Sequence, residues 1–327
     1  MTGKQKATTL LAALLVLGSV AAALGEEFEL TYKFEEGQVF DVKSVTYTGR
    51  DMGGMAMNQT QELFFSQKVR SVTEGTADIE IKIKRVKMAS SNPMTGDVSF
   101  DSDSDEESDD PQMALVKGMV GKTFSFKING RGEILSVSGY DEIFKEIMKT
   151  VEEQTKDNPQ AAMIMMLMEK TFSNATMKKT LSMGYVIFPE KAVGPDAEWK
   201  REVCVPLPMF GDVKGNPVHK IKSVEDETVS VEIDGKLKAP KGDPEIDPDD
   251  PMSAMRGMMK IKGGTVSGSA EFDKERGQIK KSVLDTKTTV EAMGNEFALE
   301  WRLSLEMLDH GAEEPAEDDA GEEEDGF

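Results

Sequence analysis

Alternating apolar and polar residues mark most of the chain as β-strand. Ile79, Ile81 and Ile83 occupy every second position, and charged residues lie between them. The longest pattern of this kind runs from Phe297 to Met307 near the end of the chain. A period of two is typical of a strand that is buried on one face. Such strands favour antiparallel sheets with one solvated face.

Residues 140–184 depart from this pattern and predict helices. Ile143, Phe144 and Ile147 recur at helical spacing, with charged residues between them. An Asn-Pro pair at 158–159 is a start signal for a second helix, which is rich in methionine. The residues after Phe172 predict a third short helix, from Asn174 to Met183.

Three short sequences occur twice, in the same order and at a nearly constant spacing. VRSVTEGTADIEI begins at Val69, and IKSVEDETVSVEI begins at Ile221. The other two pairs are Asp-Asp-Pro at 109–111 and 249–251, and Arg-Gly-x-Ile at 131–134 and 276–279. Repetition of this kind predicts a tandem duplication, with each unit the size of a domain or half-domain.

We therefore predict an α+β fold that is mostly antiparallel β. Two duplicated β units form curved sheets, and a helical, methionine-rich connection joins them. Whether the units share one sheet or form two cores stays open, because pairing between sheet edges leaves no local signal. The predicted segments are a signal peptide (1–25), the first β unit (26–139), the helical connection (140–184), the second β unit (185–308) and an acidic, disordered tail (309–327).

The first 25 residues have the layout of a secretory signal peptide. Lys4 and Lys6 precede an apolar run at 10–23, and small residues stand at Ala23 and Gly25. We expect cleavage near Gly25 and a secreted or periplasmic protein without a transmembrane segment in the mature chain. An uncleaved anchor is the alternative.

Charge and cysteine content exclude some classes of partner. The formal net charge is -21, whereas nucleic-acid phosphates require clustered Lys and Arg. We therefore predict no nucleic-acid partner. Cys204 is the only cysteine, so no intramolecular disulfide can form and the fold depends on its own core.

The methionine-rich helix is the main candidate for a ligand surface. Its apolar stretch of about ten residues is too short to span a bilayer. Methionine fills irregular core gaps and also suits surfaces that repack around different ligands, so plain core and an apolar ligand surface both stay open. The residues that we expect to line such a site are Phe144, Ile147, Met163, Met166, Trp301 and Leu303.

Two loops carry weak candidates for metal ligands. The thioethers that could bind a soft ion such as Cu(I) are Met52, Met55 and Met57. The carboxylates that could bind Ca²⁺ are Asp101, Asp103 and Asp105. A plain hairpin turn and a solvated loop are the favoured alternatives.

Nothing in the sequence points to catalysis or to a cofactor. The two histidines, His219 and His310, belong to no motif, and nucleophile-elbow, Walker and dinucleotide-binding patterns do not occur. We predict a non-enzymatic protein without a cofactor. Hydrolysis by carboxylates alone leaves no spacing signature, and stays open.

The Gly-Gln-Val-Phe start at 37–40, the repeated Ser-Val…Thr…Glu-Ile segment and the Arg-Gly-x-Ile strand starts resemble an uncharacterised family of secreted bacterial proteins. That resemblance implies an exported, β-rich protein and assigns no functional residues. By analogy alone, strands with inserted helices are similar to the curved sheets of periplasmic lipoprotein carriers. Two roles remain: binding of an apolar small molecule or lipid, or a structural or protein-interaction module of the cell envelope.

Overall fold

The computed structural model describes residues 27–51, 56–93, 96–104, 111–154, 172–207, 211–240, 257–292 and 294–308. The described helices are α1 (Pro111–Met119), α2 (Tyr140–Gln154) and α3 (Asn174–Gly184). The described strands are β1 (Val39–Asp51), β2 (Ala56–Thr73), β3 (Thr76–Asn92), β4 (Gly96–Asp101), β5 (Thr123–Asn129), β6 (Ile134–Ser138), β7 (Glu198–Lys200), β8 (Val203–Leu207), β9 (Gly211–Gly215), β10 (Val218–Glu225), β11 (Thr228–Lys238), β12 (Met259–Asp273), β13 (Gln278–Ala292) and β14 (Asn295–Leu308).

These strands form one 14-stranded sheet in the order β6-β5-β3-β2-β1-β14-β13-β12-β11-β10-β7. Off this path, β4 pairs with β3, and the β8–β9 hairpin joins through β11. Every strand pair is antiparallel. The prediction of a mostly antiparallel β fold is confirmed.

β1 and β14, the first and last of the described strands in chain order, are neighbours in the middle of the sheet. β1 pairs with β14 from Asp41 opposite Leu308 to Asp51 opposite Ala298. This pairing joins the two predicted β units edge to edge, and buried residues of both units belong to one hydrophobic cluster. The question that the sequence left open is thus answered by one continuous sheet, which local sequence could not reveal because pairing between distant strands leaves no local signal.

The alternation predicted from the sequence sets the two faces of the sheet. On β3, Ile79, Ile81 and Ile83 are each at most 1% exposed. On β14, Leu303 and Leu305 are 5% and 4% exposed and lie on the same face, which we call the inner face. The inner face carries the core, as expected for strands with a period of two.

Two hairpins, one from each predicted unit, have the same register. In the β2–β3 ladder the register shifts between Val69 and Ser71. In the β10–β11 ladder it shifts between Ile221 and Ser223, the residues that the sequence repeat aligns with them. The turns also match, since Glu74 and Asp226 have positive φ angles of 51° and 49°.

The next pair of hairpins repeats this agreement. The register shifts next to Ile128 in β5–β6 and next to Phe272 in β12–β13. Ile134 pairs with Ile128, and Ile279 pairs with Phe272, at equivalent places. The shared registers agree with the sequence repeat, whereas its origin by duplication stays a prediction.

Helices α2 and α3 are tied together at their starts. The carboxylate of Asp141 accepts hydrogen bonds from the backbone N and from Nδ2 of Asn174, both at 2.7 Å. Ser173 caps α3 by accepting a 3.1 Å hydrogen bond from the backbone N of Thr176. The predicted third helix is confirmed.

Helix α3 lies against the inner face. It packs on β6 and β8, and its last turn contacts β13 and β14. A methyl group added at Gly184 would lie 3.1 Å from Cδ1 of Leu305, so glycine permits this close approach. The hydroxyl of Ser282 donates a 2.7 Å hydrogen bond to the carbonyl of Gly184 and fixes the helix on β13.

None of the helices within the described ranges is long and apolar enough to cross a membrane. The methionine-rich helix predicted after Pro159 falls in residues 155–171, which lie outside the described residues.

Candidate ligand-binding surface

Towards the start of β14, the inner face carries a row of apolar side chains that are only partly buried. Phe297, Leu299 and Trp301 have the same strand parity as buried Leu303 and Leu305, but each retains some exposure. All three pack against the margin of the hydrophobic core. We call Phe297, Leu299 and Trp301 the inner strip.

Next to the inner strip, β1 and β2 carry polar residues on the same face. Thr48 pairs in register with Trp301, and Gln59 pairs with Thr48 on its other side. Two positions further along the strands, Thr46 and Gln61 pair in the same way. All four side chains are partly buried. We call Thr46, Thr48, Gln59 and Gln61 the polar strip.

Hydrogen-bonding capacity in the polar strip is largely unused within the described part of the chain. Gln59 places Nε2 3.0 Å from the sulfur of Met88. The side chains of Thr46, Thr48 and Gln61 form no hydrogen bond with the described residues. Polar groups that are partly withdrawn from water without partners favour a polar ligand atom or ordered water.

Charged residues do not occur in two of the register rows that cross these strips from β13 to β3, whereas the row through Leu299 contains Arg50 on β1. The row through Trp301 contains Thr286, Trp301, Thr48, Gln59 and Ser90. The row through Leu303 contains Leu284, Leu303, Thr46, Gln61 and Met88. On the outer face of the same strands, by contrast, Arg302 Nε is 2.5 Å from Asp285 Oδ1.

A buried hydroxyl lies beside the inner strip. Thr288 on β13 pairs with Leu299 and is 1% exposed. Its Oγ1 has no hydrogen-bond partner among the described residues. A buried hydroxyl without a partner costs free energy, so the inner face next to Leu299 holds an unsatisfied polar atom.

The structure brings together only part of the predicted ligand site. Trp301 and Leu303 share the inner face of β14, as predicted, although Leu303 is buried. Phe144 and Ile147 are buried on α2, which packs on α1 and β5. β5 is four strand positions from β14, which is roughly 19 Å along the sheet, so the two pairs lie over different parts of the sheet. Met163 and Met166 lie outside the described residues.

The carboxylates proposed for Ca²⁺ already face a cation. Arg85 donates to both oxygens of Asp101, with Nε at 2.9 Å and Nη2 at 2.5 Å. These hydrogen bonds lower the pKa of Asp101 to about 2. Asp103 Oδ2 is 3.3 Å from Nε of the same guanidinium. Asp105 lies outside the described residues.

The described ranges contain no cluster of three or more His, Cys, Asp or Glu side chains that could hold a metal ion. Met57, one of the proposed Cu(I) ligands, lies at the start of β2, whereas Met52 and Met55 lie outside the described residues.

Cys204 is on β8, where burial and the nearby Asp212 raise the pKa of its thiol. A raised pKa disfavours the thiolate and so disfavours nucleophilic chemistry at this residue.

Two buried polar residues were missed by the sequence reasoning. Gln67 is fully buried and its Oε1 accepts a 3.0 Å hydrogen bond from the hydroxyl of Tyr185. His219 is 4% exposed and stacks on Trp199, with ring centroids 5.5 Å apart. Burial lowers the pKa of His219 to about 4, and the charge of Arg201 acts in the same direction. The signal that could have found them is the sequence repeat, which aligns Gln67 with His219.

Two open concavities are present besides the strips, and the first of them also reaches Thr286 and Trp301. One, of about 590 Å³, is on the outer face and is lined mainly by polar residues such as Tyr47, Lys287 and Arg302. The other, of about 470 Å³, lies between the N-terminal segment and the β12–β13 turn, near Lys33 and Arg276. Their charged linings do not suit an apolar ligand, so the inner strip is the better candidate.

Comparison with known proteins places the chain in a family. The model of DUF6263, a family of unknown function, matches residues 74–279. This match covers more than half of the chain, which therefore belongs to that family, and membership of an uncharacterised family is confirmed. No curated protein matches the chain significantly.

Similarities to solved structures are weak. A structure described as lipid–protein interactions in lipovitellin is 10% identical with a TM-score of 0.46; the match covers 87% of this chain and 27% of that one. The translocator domain of the autotransporter NalP from Neisseria meningitidis is 8% identical with a TM-score of 0.21, covering 92% and 97% of the two chains. OccK7 (OpdD) from Pseudomonas aeruginosa is 9% identical with a TM-score of 0.17, covering 84% and 70%. Similarities of this size carry no argument about function.

Proposed function

We propose that the protein binds an apolar ligand, such as a single acyl chain, along the inner strip, and that it does so without catalysis. The observation that carries this proposal is the partial exposure of Phe297, Leu299 and Trp301 on the face that otherwise holds the core. Removing such side chains from water contributes up to about 1.5–3 kcal/mol each.

The geometry of the strip suits an extended chain. Alternate residues of a strand are roughly 7 Å apart, so the three side chains span about 14 Å along β14. An alkyl chain that lies parallel to the strand can therefore contact all three at once. The buried neighbours Leu303 and Leu305 close one end of the strip beneath α3.

Binding of the uncharged probe N-phenyl-1-naphthylamine to the full chain tests this proposal, because its fluorescence rises in apolar surroundings. We expect saturable binding, and Leu299→Asn should weaken it roughly tenfold. The matched control is Leu135→Asn, since Leu135 is 41% exposed on β6, away from the strip. If the probe does not bind, or if both variants bind it equally, apolar binding along the inner strip is wrong. The alternative role, a protein-interaction module of the cell envelope, is then favoured.

We further infer that the protein is exported after removal of residues 1–25. The support is the order of basic residues, apolar run and small residues in that segment. Intact mass of the protein recovered from outside the cytoplasm is the test. A mature chain that begins at Glu26 is expected, and an exported chain that retains Met1 would contradict it.

We also infer that the two halves of the sheet arose by duplication of one β unit. The support is the shared register of the β2–β3 and β10–β11 hairpins, together with the aligned sequence segments at Val69 and Ile221. Family members whose two halves align more closely than those of this chain are expected. If the two halves of other family members share no common sequence pattern, the similarity of the two hairpins in this chain would instead be the result of convergence.

A further inference from the structure

We infer that the ligand is a single-chain amphiphile with an anionic head group, which Arg50 binds at the open end of the inner strip while the tail runs towards the core. This inference rests on the proposed function and specifies its ligand class. It follows from the position of Arg50 in the sheet, from the absence of an acidic partner for it, and from the change in burial along β14.

Arg50 is a cation directly beside the inner strip. It lies on β1 opposite Leu299 on one side and opposite Met57 of β2 on the other. Residues that face each other across antiparallel strands project on the same side of the sheet, so Arg50 belongs to the inner face. Its side chain is exposed, and the guanidinium is therefore within reach of a ligand that lies on the strip.

Arg50 is also the only charged residue in the register rows that pass through Leu299, Trp301 and Leu303. The other described residues of these three rows, from β12 on one side to β3 on the other, are all uncharged. An isolated positive charge among uncharged neighbours attracts an anion and repels a cation. The inner face therefore has one point at which an anionic group is favoured.

No acidic side chain among the described residues pairs with Arg50. By contrast, Arg85 and Arg302 each form an ion pair with an aspartate of a neighbouring strand. The chain contains 60 acidic residues against 39 Lys and Arg, so acidic partners are abundant, yet none is placed beside Arg50. Its guanidinium is available to a carboxylate or phosphate, whose oxygens match its planar set of donors.

Thr48 adds a hydrogen-bond donor next to Arg50. The two residues are two positions apart on β1 and lie on the same face, with backbones roughly 7 Å apart. The hydroxyl of Thr48 forms no hydrogen bond with the described residues and can donate to an anionic oxygen. Because the guanidinium is carried on a long stem, both groups can reach one head group.

Burial along β14 fixes the orientation of the ligand. Arg50 is next to the last residue of β1 and faces the first half of β14. In the other direction the inner face closes, since Leu303 and Leu305 are 5% and 4% exposed beneath α3. A charged head group keeps its hydration only at the open end, whereas an alkyl tail gains by leaving water. The tail therefore runs from Leu299 over Trp301 towards Leu303.

Four amphiphiles with the same twelve-carbon chain test the inference on the full chain. Dodecanoate and dodecyl phosphate are anionic, 1-monododecanoylglycerol is uncharged, and dodecyltrimethylammonium is cationic. Displacement of N-phenyl-1-naphthylamine, below the micellar concentrations, gives the four affinities. We expect at least one anion to bind roughly fivefold more tightly than the cation, although the net charge of -21 favours cations over the molecule as a whole.

Substitution of Arg50 provides the second measurement. Arg50→Gln should weaken the tighter anion roughly fivefold more than it weakens the glycerol ester. Arg50→Lys should restore most of this difference, because it retains the charge. The matched control is Arg70→Gln, which removes the same charge near the other end of β2, where Arg70 pairs with Glu80. In that control the ratio of the two affinities should equal that of the wild type.

The outcomes separate this inference from the proposed function. Anions that bind no more tightly than the cation, or an equal loss of both ligands in Arg50→Gln, would overturn the anionic head group and leave apolar binding intact. An equal change of the ratio in Arg70→Gln would do the same, because the effect would then come from net charge. The comparison of amphiphiles uses the wild type alone, so it decides the inference even if a variant fails to fold. Failure of the probe itself to bind the wild type would overturn both.

Discussion

His219 occupies in β10 the place that Gln67 occupies in β2, and both polar side chains are buried in the core. Gln67 lies two residues before Val69, and His219 two residues before Ile221, at the shared shift in register. Gln67 is neutral at every pH, whereas a histidine can take up a proton. This position of the repeated hairpin can therefore titrate only in the β10–β11 hairpin, where a histidine occupies it.

Stability should fall in mild acid because of His219. Its pKa is about 4 in the folded protein, against an ordinary value of 6.5. Between these values the unfolded chain binds a proton that the folded chain does not, so this contribution is present above pH 6.5 and is lost as the pH falls towards 4. The full loss is on the order of 3 kcal/mol.

Urea unfolding of the wild type and of His219→Gln, at pH 7.5 and pH 4.5, checks this prediction. The substitution copies the residue at the equivalent place, so the variant should fold. We expect its stability to depend less on pH than that of the wild type. Identical pH dependence in the two proteins would mean that His219 is not the group that titrates.

Substitution of Arg85 should raise the pKa of Asp101. The two hydrogen bonds from the guanidinium are the main cause of the low value of about 2. In Arg85→Gln we expect the pKa of Asp101 to rise towards its ordinary value, measured by carbon NMR of the carboxyl group. Because both side chains are partly exposed, the loss of stability at pH 7 should be only about 1 kcal/mol. An unchanged pKa would show that the ion pair does not form in solution.

Two turn glycines should respond differently to substitution by alanine. Both have positive φ, 74° at Gly75 and 88° at Gly132. A methyl group at Gly75 meets nothing within 4 Å, whereas at Gly132 it would lie 2.5 Å from the carbonyl oxygen of Val186 and would also strike the ring of Tyr32. Gly75→Ala should cost about 1 kcal/mol from backbone strain, and Gly132→Ala about 3 kcal/mol or more, because overpacking is added.

Thermal unfolding of both variants measures this difference. Equal losses would mean that the segment carrying Val186 can move away from the β5–β6 turn.

The two halves of the sheet should unfold together. β1 and β14 pair along eleven positions from Asp41 to Asp51, and buried residues of both halves form one cluster. Calorimetry should therefore show a single transition whose calorimetric and van't Hoff enthalpies agree. Two resolved transitions would show that the halves are independent folding units.

Local patterns predicted the elements well. The alternation from Phe297 to Met307 identified β14 and the face on which Trp301 and Leu303 lie, because side-chain direction in a strand depends on position alone. The helix from Asn174 was also predicted, and the structure adds a local cap at Ser173 that the sequence analysis did not use.

Long-range relations were not predictable in the same way. Nothing in the residues of β1 or β14 indicates that these strands pair, because antiparallel pairing demands no unique sequence. The same limitation misplaced the proposed partners Phe144 and Ile147, whose position depends on where α2 packs. The ion pair between Arg85 and Asp101 was not predicted because the sequence analysis treated the acidic residues as part of a loop. In the structure, Asp101 ends β4, and the pairing of β4 with β3 brings it next to Arg85.

The pairing of β1 with β14 has a consequence for synthesis. Among the described strands, β1 is the first to leave the ribosome and β14 the last. Until nearly the whole chain has been made, one edge of β1 remains unpaired in what becomes the middle of the sheet, a situation that invites association with other chains. Folding of this protein is therefore expected to be slow and to complete only once β14 has been made, and a nascent chain that stops before Asn295 should be a preferred client of chaperones.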